Sequence, residues 1–415
     1  MDHNFRTNQP RSRAGLIAVC SNWWLVQIIL ILFVSLCSTV VSLSQSHALD
    51  KPRRVVGYYA SWSAYKGLLP DETTVNYLTH LIYAFANISD AGAVILGDPC
   101  IDVGQCDGSG HPEFQRGNFS RLLDLRNHHP HLKVLVAIGG WNWSKRFSDV
   151  AASPQSRENF VRSAIEALLD PWPDLFDGFD LDWEFPVAGG LSENIHRTED
   201  KENYTLLIAE FRRQLDQRAS KFNRFFFLTA AVPATQDAMK NIEISKVYRY
   251  VDWLNVMTYD YHTGSTITHF NAPLYSFSAD PTPALNVHAT IQAYLRLGIP
   301  SEKLVIGVPF FGYKYTGVVA DHDGLFQHSV GCEYFPFRDL SAQIGDVSNR
   351  FWQKDAQVPW IYDQGSRSWL TYDDEESIFA KVQYVRRNSL GGIMIWELSG
   401  DDGTLLRTIA SSLNK

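Results

Sequence analysis

The chain has 415 residues, 45% of them apolar and 20% charged, which is ample for a large buried core and excludes a disordered polymer. A net charge of −8 argues against nucleic acid, whose binders gather Lys and Arg on one face, and fits poorly with an acidic polymer as ligand. A neutral ligand is the better expectation, and the 12 Trp and 18 Tyr suit either an aromatic core or a groove that stacks flat rings on pyranose faces.

The first element in chain order is a targeting segment. Arg6, Arg11 and Arg13 precede an apolar run from about Trp23 to Val41, broken only by Gln27 and small residues. Ser46-His47-Ala48 then offers the small-x-small pattern that signal peptidase cuts. The run is close to bilayer length, so residues 1–50 read as a basic lead with a cleaved signal peptide or an uncleaved membrane anchor. Either form sends residues 51–415 into the secretory pathway, to a secreted or membrane-anchored fate. The triplets Asn87-Ile88-Ser89, Asn118-Phe119-Ser120, Asn142-Trp143-Ser144 and Asn203-Tyr204-Thr205 are glycosylation sequons, which agrees with that route. Cys20 and Cys37 fall in the leader, and Cys100 and Cys106 share a Gly/Asp-rich loop where they can form a disulfide. Cys332 is left over and is expected as a buried thiol. No Cys or His pattern calls for zinc or another metal, and no cofactor is expected.

Past residue 50, strand-like and helix-like stretches alternate. Apolar runs of strand length fall at Val55–Ala60, Leu78–Ala86, Lys133–Ile138, Asp177–Trp183, Phe225–Val232, Val251–Thr258, Leu304–Phe310 and Gly391–Trp396. Their continuity indicates strands buried on both faces, as in a parallel sheet. Helical spacing of apolar residues marks Ser156–Leu169, Lys201–Leu215 and Asn286–Leu297. Eight strands alternating with helices predict a (β/α)₈ TIM barrel over residues 51–415. A doubly wound open sheet is the alternative, but no glycine-rich phosphate turn follows the first strand. Between the seventh and eighth strands, residues 313–371 are too many for one helix and read as a small inserted α+β subdomain, after which Asp374–Asn388 resumes as the barrel helix. No further binding module is expected beyond the last helix, and a monomer is the expected state.

The chemistry concentrates in Asp177-Gly178-Phe179-Asp180-Leu181-Asp182-Trp183-Glu184. Side chains alternate along a strand, so Asp180, Asp182 and Glu184 share one face, and Phe179, Leu181 and Trp183 the other. The apolar set suits the helix layer, which directs the three acids into the barrel. Acids are poor strand residues and costly to bury, and a solvated edge strand does not fit the fourth of eight strands. Three carboxyls in line cannot all ionise, so one keeps a proton near neutral pH, and their titrations are coupled. Glu184, at the strand's C-terminal end where barrel sites open, is the candidate general acid, with Asp182 and Asp180 behind it. Asp177 falls off the inward face and is expected to hold the strand start. Gly139 and Gly140 are expected to be structural, letting backbone approach closely.

This Asp-x-x-Asp-x-Asp-x-Glu segment resembles the signature of family 18 glycoside hydrolases, the chitinases and their relatives. Other segments are similar too: Ala137-Ile138-Gly139-Gly140-Trp141 on the third strand, Met257-Thr258-Tyr259-Asp260 on the sixth, Trp396 ending the eighth, and Tyr58 and Phe85 as site aromatics. The insert with Trp360, Tyr362, Trp369, Tyr372 and Asp373 resembles the family's insertion domain, which deepens the groove. The resemblance covers roughly Arg54 to Lys415. It implies cleavage of β-1,4-linked N-acetylglucosamine in chitin or chito-oligosaccharides, with Glu184 as proton donor and the substrate's acetamido oxygen as nucleophile. It further implies that Asp182 orients the acetamido N–H and Tyr259 bonds the acetamido group, while Asp180 and Asp182, by their place behind Glu184, can trade a proton and bias its pKa. Tyr58, Phe85, Trp141, Met257, Asp260 and Trp396 would contact sugar, Trp141 on the leaving-group side. One departure stands out. Relatives carry x-Tyr-Gly-Arg after the seventh strand where this chain has Phe310-Phe311-Gly312-Tyr313, so a phenol and a guanidinium are missing. Two other functions share these features: a sugar-binding lectin, which typically lacks the Glu, and an endo-β-N-acetylglucosaminidase acting on N-glycans, which uses the same acids.

Overall fold

The structure is a computed structural model that describes residues 52–69, 71–106, 115–340 and 349–414. The basic leader and its apolar run lie outside the described residues. Among those described, no helix is long and apolar enough to cross a membrane.

Eight parallel strands close into a barrel: β1 (Arg54–Ala60), β2 (His80–Ile88), β3 (Lys133–Gly139), β4 (Gly178–Asp182), β5 (Phe227–Val232), β6 (Trp253–Val256), β7 (Leu304–Pro309) and β13 (Gly392–Trp396). Each pairs with its neighbour in order, and β1 closes the ring by pairing with both β13 and β2. The expected helices appear at Pro154–Ala164, Asp200–Phe222, Val287–Arg296 and Glu375–Arg387. The first is extended by a wider turn over Ile165–Leu169, and Ser153 and Asp374 cap the first and last with reciprocal side-chain bonds.

Alternation sorts the strand residues into two cores. Phe179, Leu181 and Trp183 join the large outer cluster against the helices, with Phe211 and Tyr204. Val56, Tyr58, Ile82, Ala84, Leu135, Ala137, Trp253 and Met394 fill the barrel interior. At about 25 cal/mol per Å² of apolar area removed from water, these cores supply the main drive to fold. Asp177 is buried at the base of β4. Its carboxylate accepts from Val134 N at 3.0 Å and pairs with Arg126 and Arg224 at 2.7 and 2.8 Å, tying the start of the strand to its neighbours.

The insert is a five-stranded antiparallel sheet of β8 (Phe311–Thr316), β9 (Gly331–Pro336), β10 (Arg350–Gln353), β11 (Val358–Asp363) and β12 (Ser368–Thr371), in the order β9-β8-β12-β11-β10. Short 3₁₀ turns at Asp321–Gly324 and Phe337–Asp339 connect its strands among the described residues. Trp360, Tyr362 and Trp369 form the sheet's own core around Phe270, and Tyr372 packs in a second small cluster. Asp373 is buried against Lys381. None of these five lines the groove, because a small sheet must spend its large side chains on its own interior.

Three further expectations are corrected. Cys332 is exposed, since it sits on β9, an edge strand with one side open. Asn118 is buried and donates to Tyr83 Oη, and Asn203 is buried beside Arg157, so neither sequon presents its amide on the folded surface. Asn142 is exposed, and Cys100 and Cys106 are joined as a disulfide.

Candidate active site

A cleft of about 690 Å³ opens at the C-terminal end of the strands. Its lining includes Asp182, Glu184, Tyr259, Asp260, Tyr58, Phe85, Trp141, Met257, Trp396 and Gly139, so ten of the sequence-selected residues meet in one place. Asp180 lies beneath, fully buried.

Asp180 is saturated with donors. Tyr58 Oη donates to it at 2.7 Å, Thr229 Oγ1 at 2.5 Å and Asn255 Nδ2 at 3.1 Å. Burial raises its pKa and the three donors pull against that rise. Asp182 has the opposite surroundings. It is 4% exposed, and its Oδ1 is buried with no hydrogen-bond partner. Burial first, then the charges of Glu184 and Asp180, push its pKa well above the usual carboxylate range. Glu184 is partly exposed on the cleft floor, and burial together with the Asp260 charge raises it to about 8.

Backbone geometry holds this row. Ser144 Oγ accepts from Glu184 N at 2.8 Å and donates to Gly140 O at 2.8 Å, and Asn194 Nδ2 donates to Glu184 O at 2.9 Å. Gly139 has φ +104°, and a Cβ there would lie 2.4 Å from both Asp182 O and the Phe147 ring. Gly140, at φ +73°, would drive a Cβ to 2.6 Å from the Phe85 ring. Both glycines are therefore needed for close packing between β3, β4 and the β2 aromatics.

Tyr259 hangs over the interior with its hydroxyl 4.0 Å from Met394 Sδ, and its ring lies edge-on to Phe311 at 5.9 Å. Asp260 is held in the left-handed region (φ 59°) by its N–H donating to Asn271 Oδ1 at 2.9 Å. Tyr313 lines the cleft and donates to Asp260 Oδ1 at 2.9 Å. A phenol therefore does enter the site from the segment that departs from the family pattern, two residues later than expected. Trp396 stacks near Phe85 at 5.7 Å and meets Tyr58 edge-on at 5.6 Å. Trp141 is 48% exposed at the rim.

Sequence reading missed Thr229, Asn255, Ser144, Asn194 and the cleft-lining Trp62 and Tyr313. Thr229 and Asn255 did carry a signal, each a polar residue at an inward position of an otherwise apolar strand. Ser144 and Asn194 act through backbone bonds made by loops, for which no sequence pattern exists. Among the described residues no cluster of three or more metal-ligating side chains occurs.

Fold and site together define a barrel hydrolase with a desolvated, proton-holding carboxyl at the end of its fourth strand. The sequence matches Glycosyl hydrolases family 18 over residues 54–401, and the chain belongs to that family. It is 36% identical to Chitinase A1 of Niallia circulans over 403 residues, covering 85% of this chain but only 57% of that protein, just over half its length. It is 30% identical to Chitotriosidase-1 of Mus musculus, covering 87% of this chain and 78% of the relative. The solved structure of chitinase ChiA74 from Bacillus thuringiensis superposes with a TM-score of 0.80 at 30% identity, covering 88% of this chain and 70% of the other.

Proposed function

We propose that this glycoside hydrolase cleaves β-1,4 linkages in chitin or chito-oligosaccharides by substrate-assisted, retaining catalysis. The observation that carries the reading is the orphaned Asp182 Oδ1, buried on the cleft floor with Glu184 and Tyr259 lining the same cavity. A buried acceptor without a donor is costly, and an acetamido N–H supplies the missing partner. A carboxyl that burial and two neighbouring acids hold toward its protonated form is also a poor nucleophile. The nucleophile is then the substrate's own acetamido oxygen, already tethered to the reacting sugar.

The steps follow from this. Glu184 gives its proton to the glycosidic oxygen as the bond to the anomeric carbon breaks. The acetamido oxygen attacks that carbon from the opposite face, forming an oxazolinium ion. Asp182 accepts the acetamido N–H, Tyr259 bonds the acetamido oxygen, and Asp180 keeps Asp182 in place. Glu184, now ionised, takes a proton from water, which opens the ring with net retention. Tyr58, Phe85, Met257, Asp260 and Trp396 shape the pocket for the reacting sugar, and Trp141 stacks the leaving sugar.

The test is hydrolysis of chito-oligosaccharides of graded length, with the anomer of the first product read by NMR. The reading expects turnover with a β-anomer product. An α-anomer, or an inert chitotetraose, overturns it. A lectin role is less favoured because Glu184 is present and held toward its protonated form. An N-glycan endoglycosidase role would show as glycan release with chitotetraose left intact.

The chain is also proposed to enter the secretory pathway, supported by the Arg-led apolar run and the Cys100–Cys106 disulfide, a bond typical of oxidising compartments. N-terminal sequencing of the mature protein distinguishes cleavage after Ala48 from retention as an anchor.

A further inference from the structure

The insert presents an aromatic wall that runs from its own core toward the barrel, with Tyr313 packed against both the insert core and the barrel-interior cluster. Tyr313 and Tyr334 are direct cross-strand partners on β8 and β9, so their side chains share a face. Phe311, two residues before Tyr313, lies on that face as well. The rings touch: Phe311 stacks on Tyr334 at 5.2 Å and 28°, and meets Tyr313 edge-on at 5.7 Å. Tyr313 is inside the cleft, hydrogen-bonded to Asp260. Tyr334 is the next ring outward along the same wall, and it is 51% exposed. Burial first, then the charges of Glu397 and Asp260, raise its hydroxyl above the ordinary phenol range.

This wall stands across the barrel from Trp141. In the eight-membered ring, β3, which leads to Trp141, and β7, which leads to β8, are four places apart. The wall therefore extends the cleft on the side away from the leaving group. An exposed ring held flat by a second aromatic is a pre-formed stacking surface, because its orientation is fixed before any ligand arrives.

We propose that Tyr334 is a sugar-stacking platform at the distal, non-reducing end of the cleft, and that it sets the chain length the enzyme prefers. This rests on the chito-oligosaccharide reading above and names its specificity. One face of the Tyr334 ring remains open to a pyranose while Phe311 backs the other. A sugar reaching it must lie beyond the one held over Glu184, so short substrates never touch it.

The experiment uses the full chain carrying Glu184→Gln to prevent turnover, with calorimetric titration of chitohexaose and of di-N-acetylchitobiose. Adding Tyr334→Ala is expected to weaken chitohexaose binding by roughly five- to tenfold, the size of one stacking contact, and to leave chitobiose unchanged. Tyr334→Phe keeps the ring and is expected to bind both sugars as the parent does. Equal chitohexaose affinity with and without Tyr334→Ala overturns the proposal, as does an equal loss for both sugars. If the Glu184→Gln parent binds neither sugar, the substrate reading itself is wrong and this proposal falls with it, an outcome distinct from the other two.

Discussion

Replacing Glu184 by Gln is expected to abolish catalysis and to stabilise the protein, the second effect growing from about pH 4.5 upward and complete above about pH 8. Burial and the Asp260 charge lift the Glu184 carboxyl from 4.5 to about 8. At pH 6.5 an ordinary Glu would be protonated about 1% of the time, whereas a carboxyl lifted to about 8 is mostly protonated. On the proposed role of Glu184, the environment thus raises the supply of general acid roughly hundredfold. Losing that acid slows a glycosidic cleavage by about 10² to 10⁴. The same shift has a cost in stability. The folded state holds the proton more tightly than the unfolded chain, so this contribution is fully present below about pH 4.5 and is lost as pH climbs through about 8. At 1.36 kcal/mol per pH unit the ionised form is penalised by at most about 5 kcal/mol. Water in the open cleft screens part of this, leaving an expected gain of about 2 kcal/mol for the neutral amide at pH 9. The substitution also removes the charge that bears on Asp182. The assay is thermal unfolding of both proteins at pH 5, 7 and 9, beside initial rates on chitotetraose. The variant should nearly match the parent at pH 5, show most of its advantage by pH 7 and melt a few degrees higher at pH 9. A melting difference that is constant with pH, or turnover within tenfold of the parent, would refute the reasoning.

Two other substitutions test how the scaffold holds the site. Lys381 and Asp373 form a buried pair with both Nζ–O distances at 2.6 Å, just after the insert rejoins the barrel. Lys381→Met should destabilise by about 3–5 kcal/mol by leaving a buried carboxyl unpaired, and Lys381→Met with Asp373→Leu should recover most of that in denaturant unfolding. Gly139→Ala places a Cβ 2.4 Å from Asp182 O at a positive φ, so it should cost about 2–4 kcal/mol and lower kcat even in molecules that fold, as read from unfolding curves and single-turnover rates.

Much of the architecture was legible because two periodicities carry it. Continuous apolar runs located all eight barrel strands to within a few residues, and the alternation in Phe179–Glu184 assigned acids to the interior and apolar residues to the helix layer, as the two cores show. The insert was legible as an interruption but not in its internal design. Its aromatics resembled groove residues, yet Trp360, Tyr362 and Trp369 are core. A small antiparallel sheet and a sugar groove need the same residue types, and composition does not distinguish them. Cys332 and the Asn118 and Asn203 sequons were misplaced for a related reason, since exposure depends on which strand ends up at an edge and which loop is covered.

The sequence by itself determined the acid row on β4, its inward direction and the outermost place of Glu184, because a strand of fixed two-residue period leaves alternate side chains no choice of face. Only the tertiary structure decided how the three acids differ: Tyr58, Thr229 and Asn255 converge from three other strands on Asp180, while Asp182 Oδ1 is left without a donor. It likewise decided that Tyr313 reaches Asp260 and that Tyr334 stands open beside it. Hydrogen-bond partners and solvent exposure arise from strands brought together by ring closure across long stretches of chain, so no local pattern encodes them.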